Sequence, residues 1–253
     1  MTDSCSSTSN TLSTDYTKPN FPLRVGVLVF PGTNCDRDVI HVYRDILGCE
    51  VISLWHQDTS LKDSNVIVIP GGFSYGDYLR SGAIARMSPV MQRVKEFAEG
   101  GGPVLGICNG FQILCEAGLL PGALLENVTT RFISRFVNIR IEQSSTPFTR
   151  IVREGTVIKC PVAHFQGNYF APPDTLASLK LNSQIVFRYV GSDGEVCENS
   201  RTSNPNGSTE SIAGICNVQR NVVGLMPHPE RAAEPLVGWI GGDSGLQILR
   251  SIM

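Results

Sequence analysis

Residues 103–117 read Pro103-Val104-Leu105-Gly106-Ile107-Cys108-Asn109-Gly110-Phe111-Gln112-Ile113-Leu114-Cys115-Glu116-Ala117. The first five are mostly apolar and follow the breaker pair Gly101-Gly102, which marks a buried strand. Phe111 to Ala117 carries a helical pattern. Between them lies Gly-x-Cys-x-Gly, a nucleophile elbow with Cys in place of Ser. A sharp strand-to-helix turn presents the central residue at the end of a sheet, and small neighbours let the backbone pass closely. The helix that follows turns its N-terminus towards the sulfur, where its partial positive charge favours thiolate over thiol. The Asn109 N–H can point at a developing oxyanion. A cysteine in such a turn also serves as buried packing, so the motif needs a base.

Outward from this segment the same rhythm recurs. Residues 24–30 form an apolar run, Pro31-Gly32-Thr33-Asn34 a turn with Asn34 as a helix cap, and 36–47 a helical pattern. Further β-rich runs fall at 50–54 and 65–70, and 89–99 reads as a helix closed by glycines. Continuous apolar strands alternating with helices predict an α/β fold: three layers, with a largely parallel open sheet and helices on both faces. The second half is richer in β signal, at 132–141, 156–161, 185–190, 212–217 and 221–226, which predicts antiparallel additions to that sheet. A final helix is expected over 244–252, and the Gly, Ser, Asn and Asp-rich stretch 191–207 reads as a long surface loop. No repeat or change of composition marks a linker, so 23–253 is expected to be one domain.

The 253 residues are 42% hydrophobic and 17% charged, with a formal net charge of -2. That fills a core and offers no general attraction to nucleic acid or anionic membranes. No apolar run approaches the roughly 18–20 residues that span a bilayer. The eight cysteines include no C-x-x-C pair, which points to reduced thiols and a cytoplasmic location. The first twenty residues hold ten Ser or Thr, one basic residue and no apolar core, so 1–22 reads as a disordered tail and not as a secretory signal.

His228 is the best-placed base. Met226-Pro227-His228-Pro229-Glu230-Arg231 follows an apolar run, so the imidazole is expected at a strand end, and flanking prolines favour extended geometry. In an extended segment residues two apart point the same way, so the Glu230 carboxylate can orient the imidazole as the third member of a triad. A third element, Pro70-Gly71-Gly72-Phe73-Ser74-Tyr75-Gly76-Asp77, also ends a strand, where open α/β sheets build their sites. By itself such a turn suits a phosphate cradle or a tight bend equally well.

Together the stretches GGFSYGDYLR (71–80), GICNGFQ (106–112) and MPHPERA (226–232), with 30–36, 81–85 and 116–121, resemble the class I glutamine amidotransferases. Among these the chain is most similar to the glutaminase subunits of phosphoribosylformylglycinamidine synthase, and the resemblance runs from about residue 24 to the C-terminus. It implies a flavodoxin-like fold, Cys108 as nucleophile, His228 as general base and acid, and Glu230 as its orienter. It also implies oxyanion-hole N–H groups from the Gly72 and Asn109 region and a hold on substrate L-glutamine from Gln112. Ammonia from such a site goes to a large synthetase subunit that uses ATP and Mg²⁺, and a small auxiliary subunit is a further expected partner. This chain has no G-x-x-x-x-G-K-[ST] loop, so the ATP chemistry is expected on the partner, and no metal or cofactor on this chain.

One segment departs from the family. Where many members have His-Gly-Glu-Gly or His-Ala-Glu-Gly, this chain has His164-Phe165-Gln166-Gly167, an amide for a carboxylate and a ring for a small residue. Two other readings are compatible with a Cys, His, Glu set alone: a peptidase or other hydrolase, and a non-catalytic subunit that stabilises the synthetase.

Overall fold

The apolar runs become strands of a single nine-stranded sheet. The computed structural model describes residues 23–197, 200–238 and 242–253, and the tail 1–22 lies outside them. The strands are β1 (Arg24–Val29), β2 (Glu50–Trp55), β3 (Val66–Ile69), β4 (Val104–Ile107), β6 (Ile133–Ile141), β7 (Val157–His164), β9 (Ile185–Val190), β10 (Ile212–Cys216) and β11 (Val222–Leu225). Two short strands, β5 (Ala123–Leu125) and β8 (Asn168–Phe170), pair separately. The helices are α1 (Asp36–His41), α2 (Pro89–Glu99), α3 (Asn109–Glu116), α4 (Pro173–Leu181) and α5 (Leu246–Arg250).

The sheet order is β2-β1-β3-β4-β11-β10-β9-β6-β7. From β2 to β11 every pairing is parallel, and from β11 to β7 every pairing is antiparallel. The parallel half has the flavodoxin-like order, with the antiparallel extension that the β-rich second half predicts. The chain leaves β1 towards β2 and returns past it to β3 and β4. Right-handed crossovers in opposite directions place α1 on one face and α2 and α3 on the other. Burial follows the pairing. Strands β3, β4, β10 and β11 are buried at every residue, whereas β7 alternates. Central strands covered on both faces need continuous apolar runs, whether parallel or antiparallel; a strand at the sheet's edge needs only one apolar face.

Several local expectations change. Asn34 does not cap α1; Cys35 occupies that position, and the Asn34 carboxamide accepts a hydrogen bond from its thiol instead. The helix expected over 36–47 is α1 followed by a π-helical turn at Val42–Ile46, and the last helix keeps only Leu246–Arg250. Strand β7 continues past Pro161 to His164, because β7 is an edge strand and a residue without an N–H costs no ladder bond on its open side. Helix α4 has no counterpart in the expected elements. Leu179 is its only buried residue, so it lacks an apolar stripe, and its sequence signals are confined to Pro173 and Asp174 in the first turn and Lys180 in the last. In the stretch read as a surface loop, Ser203, Asn204 and Asn206 are buried. Asn206 Nδ2 donates to Gly167 O at 2.8 Å and to Tyr189 Oη at 3.1 Å, which satisfies the amide inside the fold.

Candidate active site

The C-terminal ends of β1, β3, β4 and β11 converge on one cavity of about 130 Å³, lined among others by Cys35, Gly72, Phe73, Cys108, Phe132 and His228. The elbow is formed as its sequence requires. Cys108 has φ 52 and ψ −106, a strained conformation for a residue with a side chain, and its N–H donates to Leu225 O at 2.8 Å, which extends the pairing of β4 with β11. Helix α3 begins at Asn109, so the Asn109 N–H has no acceptor within the helix and remains free for a ligand. Close approach explains both glycines of the motif. A Cβ on Gly110 would lie 1.9 Å from Ile69 O, and one on Gly106 would lie 2.7 Å from the Gly110 carbonyl.

His228 is 1% exposed and follows β11, with its N–H donating to Pro161 O of β7 at 2.8 Å. Its Nδ1 donates to Glu230 Oε1 at 2.6 Å, and Glu230 is itself 3% exposed. The pair is therefore made, but not by an extended segment. His228 has φ −102 and ψ 89, and Pro229–Ala232 is a 3₁₀ turn that swings the carboxylate back onto the ring. Burial opposes charge on the imidazole, yet the Glu230 carboxylate and the sulfurs of Cys108 and Cys35 outweigh it and hold the His228 pKa well above 6.5. With Nδ1 held by the carboxylate, Nε2 is the atom left to exchange protons with a ligand.

Gly72 lines the cavity and bridges to Thr33 in an antiparallel contact. A Cβ there would lie 2.8 Å from Asn34 N, so only glycine lets the two loops meet. The side chains of Asn109 and Gln112 tie the walls of the cavity together. Asn109 Oδ1 accepts from Ser74 N–H at 3.1 Å and its Nδ2 donates to Gln112 Oε1 at 2.8 Å. Gln112 Nε2 then donates to Gln166 O at 2.6 Å. The departing segment is thus joined to the elbow helix. Gln166 Oε1 accepts from Ser81 N–H at 3.1 Å, a task for which an amide oxygen serves without the charge of a carboxylate.

Sequence reasoning missed Cys35, which lines the same cavity, and Arg231, whose Nη2 donates to Cys35 Sγ at 3.1 Å while its Nε donates to Asp38 at 3.0 Å. Nothing in their spacing marks them, since the contact is between residues 196 apart in sequence. His164 is also close by and 2% exposed, and burial, with a smaller contribution from His228, lowers its pKa to about 3. The sign of the resulting pH dependence is fixed. The unfolded chain binds this proton near 6.5 and the folded one only near 3, so stability falls as pH is lowered through that window. The slope is at most about 1.4 kcal/mol per pH unit. Urea midpoints at pH 7 and pH 5 are expected to differ less in His164→Asn than in the parent; equal differences would refute the assignment.

Comparison with known proteins agrees with this geometry. The family model described as a CobB/CobQ-like glutamine amidotransferase domain matches residues 22–240. Phosphoribosylformylglycinamidine synthase subunit PurQ of Rubrobacter xylanophilus is 54% identical over 231 residues, covering 91% of this chain and 98% of the relative. That of Salinibacter ruber is 52% identical over 230 residues, covering 91% and 95%. A chain in the structure of PurLQS from Thermotoga maritima matches with a TM-score of 0.78 at 42% identity, over 92% of this chain and 98% of that one. A cavity built from an elbow cysteine and a carboxylate-held histidine, on a fold shared with these relatives over nearly its whole length, places this chain in the CobB/CobQ-like glutamine amidotransferase family, with the PurQ subunits of phosphoribosylformylglycinamidine synthase.

Proposed function

We propose that Cys108, His228 and Glu230 hydrolyse L-glutamine to glutamate and ammonia, and that the chain supplies this ammonia as the glutaminase subunit of phosphoribosylformylglycinamidine synthase. The observation that carries the reading is the buried 2.6 Å bond from His228 Nδ1 to Glu230 Oε1 beside a strained cysteine elbow. The carboxylate fixes the tautomer, so Nε2 faces the reacting atoms. The Cys108 thiol gives its proton to His228 Nε2 and its sulfur attacks the side-chain amide carbon, while the N–H groups of Asn109 and Gly72 receive the developing oxyanion. His228 passes a proton from Nε2 to the leaving nitrogen, ammonia departs, and a γ-glutamyl thioester remains. Water then gives a proton to Nε2 as it attacks the thioester, which releases glutamate and returns the thiol. Gln112 acts by holding Asn109 and the Gln166 backbone in register around the substrate.

A cavity of about 130 Å³ with half-exposed Phe73 and Phe132 at its side admits a free amino acid's side chain more readily than a peptide. The synthetase partner holds the ATP and Mg²⁺ that turn ammonia into the amidine of formylglycinamidine ribonucleotide, and this chain needs no cofactor of its own. No helix among the described residues is long and apolar enough to cross a membrane, in keeping with work in the cytoplasm. Acid quenching of the assembled synthase during turnover of glutamine is expected to trap a γ-glutamyl group on the peptide that contains Cys108. Turnover with that peptide never modified would overturn the mechanism.

A further inference from the structure

The active-site wall holds a second thiol that the hydrolysis above does not use. Cys35 is 2% exposed and sits where the loop after β1 enters α1. Donor atoms of Cys35, His228 and Glu230, all buried, lie within 4.8 Å of one another. Two of the buried atoms in this group, His228 Nε2 and Glu230 Oε2, have no hydrogen-bond partner. Cys108 lines the same cavity. A Cβ built on Gly71 would lie 2.7 Å from His228 Cε1, 3.0 Å from Cys35 Sγ and 3.4 Å from Cys108 Cβ. The absence of a side chain at Gly71 therefore leaves one small space bordered by the Cys35 sulfur, the His228 imidazole and the Cys108 Cβ.

We propose that this space is an inhibitory site for a thiophilic divalent cation, with zinc as its type, in which Cys35 Sγ and His228 Nε2 are donors and Cys108 Sγ turns about its χ1 to become the third. Two thiolates and an imidazole are the donor set of three-ligand zinc sites, whose fourth position stays open. The Glu230 carboxylate on Nδ1 supplies the outer bond that commonly orients a zinc-binding histidine. Burial raises the Cys35 pKa and Arg231, whose Nη2 donates to Cys35 Sγ at 3.1 Å, opposes it, so the cation itself must displace the thiol proton to solvent as the bond to Asn34 Oδ1 is given up. The cation then occupies the sulfur and the nitrogen that glutamine hydrolysis needs, so binding and turnover exclude one another.

The site can be tested on the full chain with zinc, and with cobalt(II) as a spectroscopic substitute, using Cys35→Ala, Cys35→Ser and Cys108→Ala. Competition against a chromophoric chelator is expected to show one zinc bound by the parent. Affinity should drop by more than roughly tenfold in each variant, since losing even an outer partner of a metal ligand costs roughly 10–100-fold. The sulfur-to-cobalt charge-transfer band is expected to weaken when either thiol is removed. The serine variant keeps the size of the side chain, so a folding defect confined to alanine does not obscure the result. Parent affinity retained in both Cys35 variants, or no zinc bound by the parent, overturns the proposal. A band that is unchanged in Cys108→Ala overturns the three-donor set. Inhibition of glutamine hydrolysis by zinc rests on the thiol mechanism proposed above. The binding measurements do not, so the two readings fail separately.

Discussion

Cys108→Ala is expected to abolish glutamine-dependent synthesis by the assembled enzyme while leaving synthesis from added ammonia intact. The loss should be at least roughly 10⁴-fold, because removing a nucleophile removes the covalent path and leaves only binding and oxyanion stabilisation. The side chain can be removed without disturbing the fold. The Cys108 backbone is held by its N–H bond to Leu225 O, while its Sγ makes a long contact of 3.7 Å to Ala163 O and otherwise faces His228. Parallel assays with glutamine and with ammonia, on the same complex, check the prediction. Loss of both activities would mean that the substitution acts on assembly; loss of neither would remove Cys108 from the mechanism.

The second large effect is on folding. Gly110→Ala is expected to cost about 3 kcal/mol or more, a large share of the roughly 5–15 kcal/mol that holds a domain together. Its new methyl would lie 1.9 Å from Ile69 O at the end of β3, and that neighbour is backbone within the central sheet and cannot rotate away. Either α3 lifts from the sheet, which moves Cys108, or the strand end yields. Gly118, just beyond the other end of α3, gives the contrast. Nothing lies within 4 Å of a Cβ there, and alanine meets only the strain of φ +71, at about 1–2 kcal/mol. Urea unfolding of the two variants measures the difference directly. Equal costs would show that the elbow tolerates a side chain after the nucleophile.

Readability from sequence tracked the range of the forces involved. The elbow was legible because its strand, turn and helix are contiguous, and its glycines answer contacts made within a few residues or with the next strand. The triad partner was legible because Glu230 is two residues from His228, although the sequence pointed to an extended segment and the bond forms across a 3₁₀ turn. The sequence pattern ends β7 at Pro161, whereas the strand runs to His164, since a proline's effect depends on whether its strand lies at an edge, which no local pattern states. Helix α4 was missed because it buries a single residue.

Roles that depend on partners far along the chain stayed hidden. The resemblance implies that Gln112 helps hold the substrate; the structure shows its amide bonded to Asn109 and to the Gln166 backbone, contacts that no local pattern states. Cys35 lay within a recognised motif, yet its place beside His228 depends on two loops brought together at the end of the sheet. By itself the sequence determined most of the strand order, the cysteine elbow and the His228–Glu230 pairing, since apolar periodicity, glycine turns and short-range pairing act over a few residues. Only the tertiary structure decided that β1, β3, β4 and β11 end around one cavity, and so which thiols, amides and carboxylates share it. Contacts between residues as distant as Cys35 and Arg231 come from the packing of the whole sheet, which no local pattern encodes.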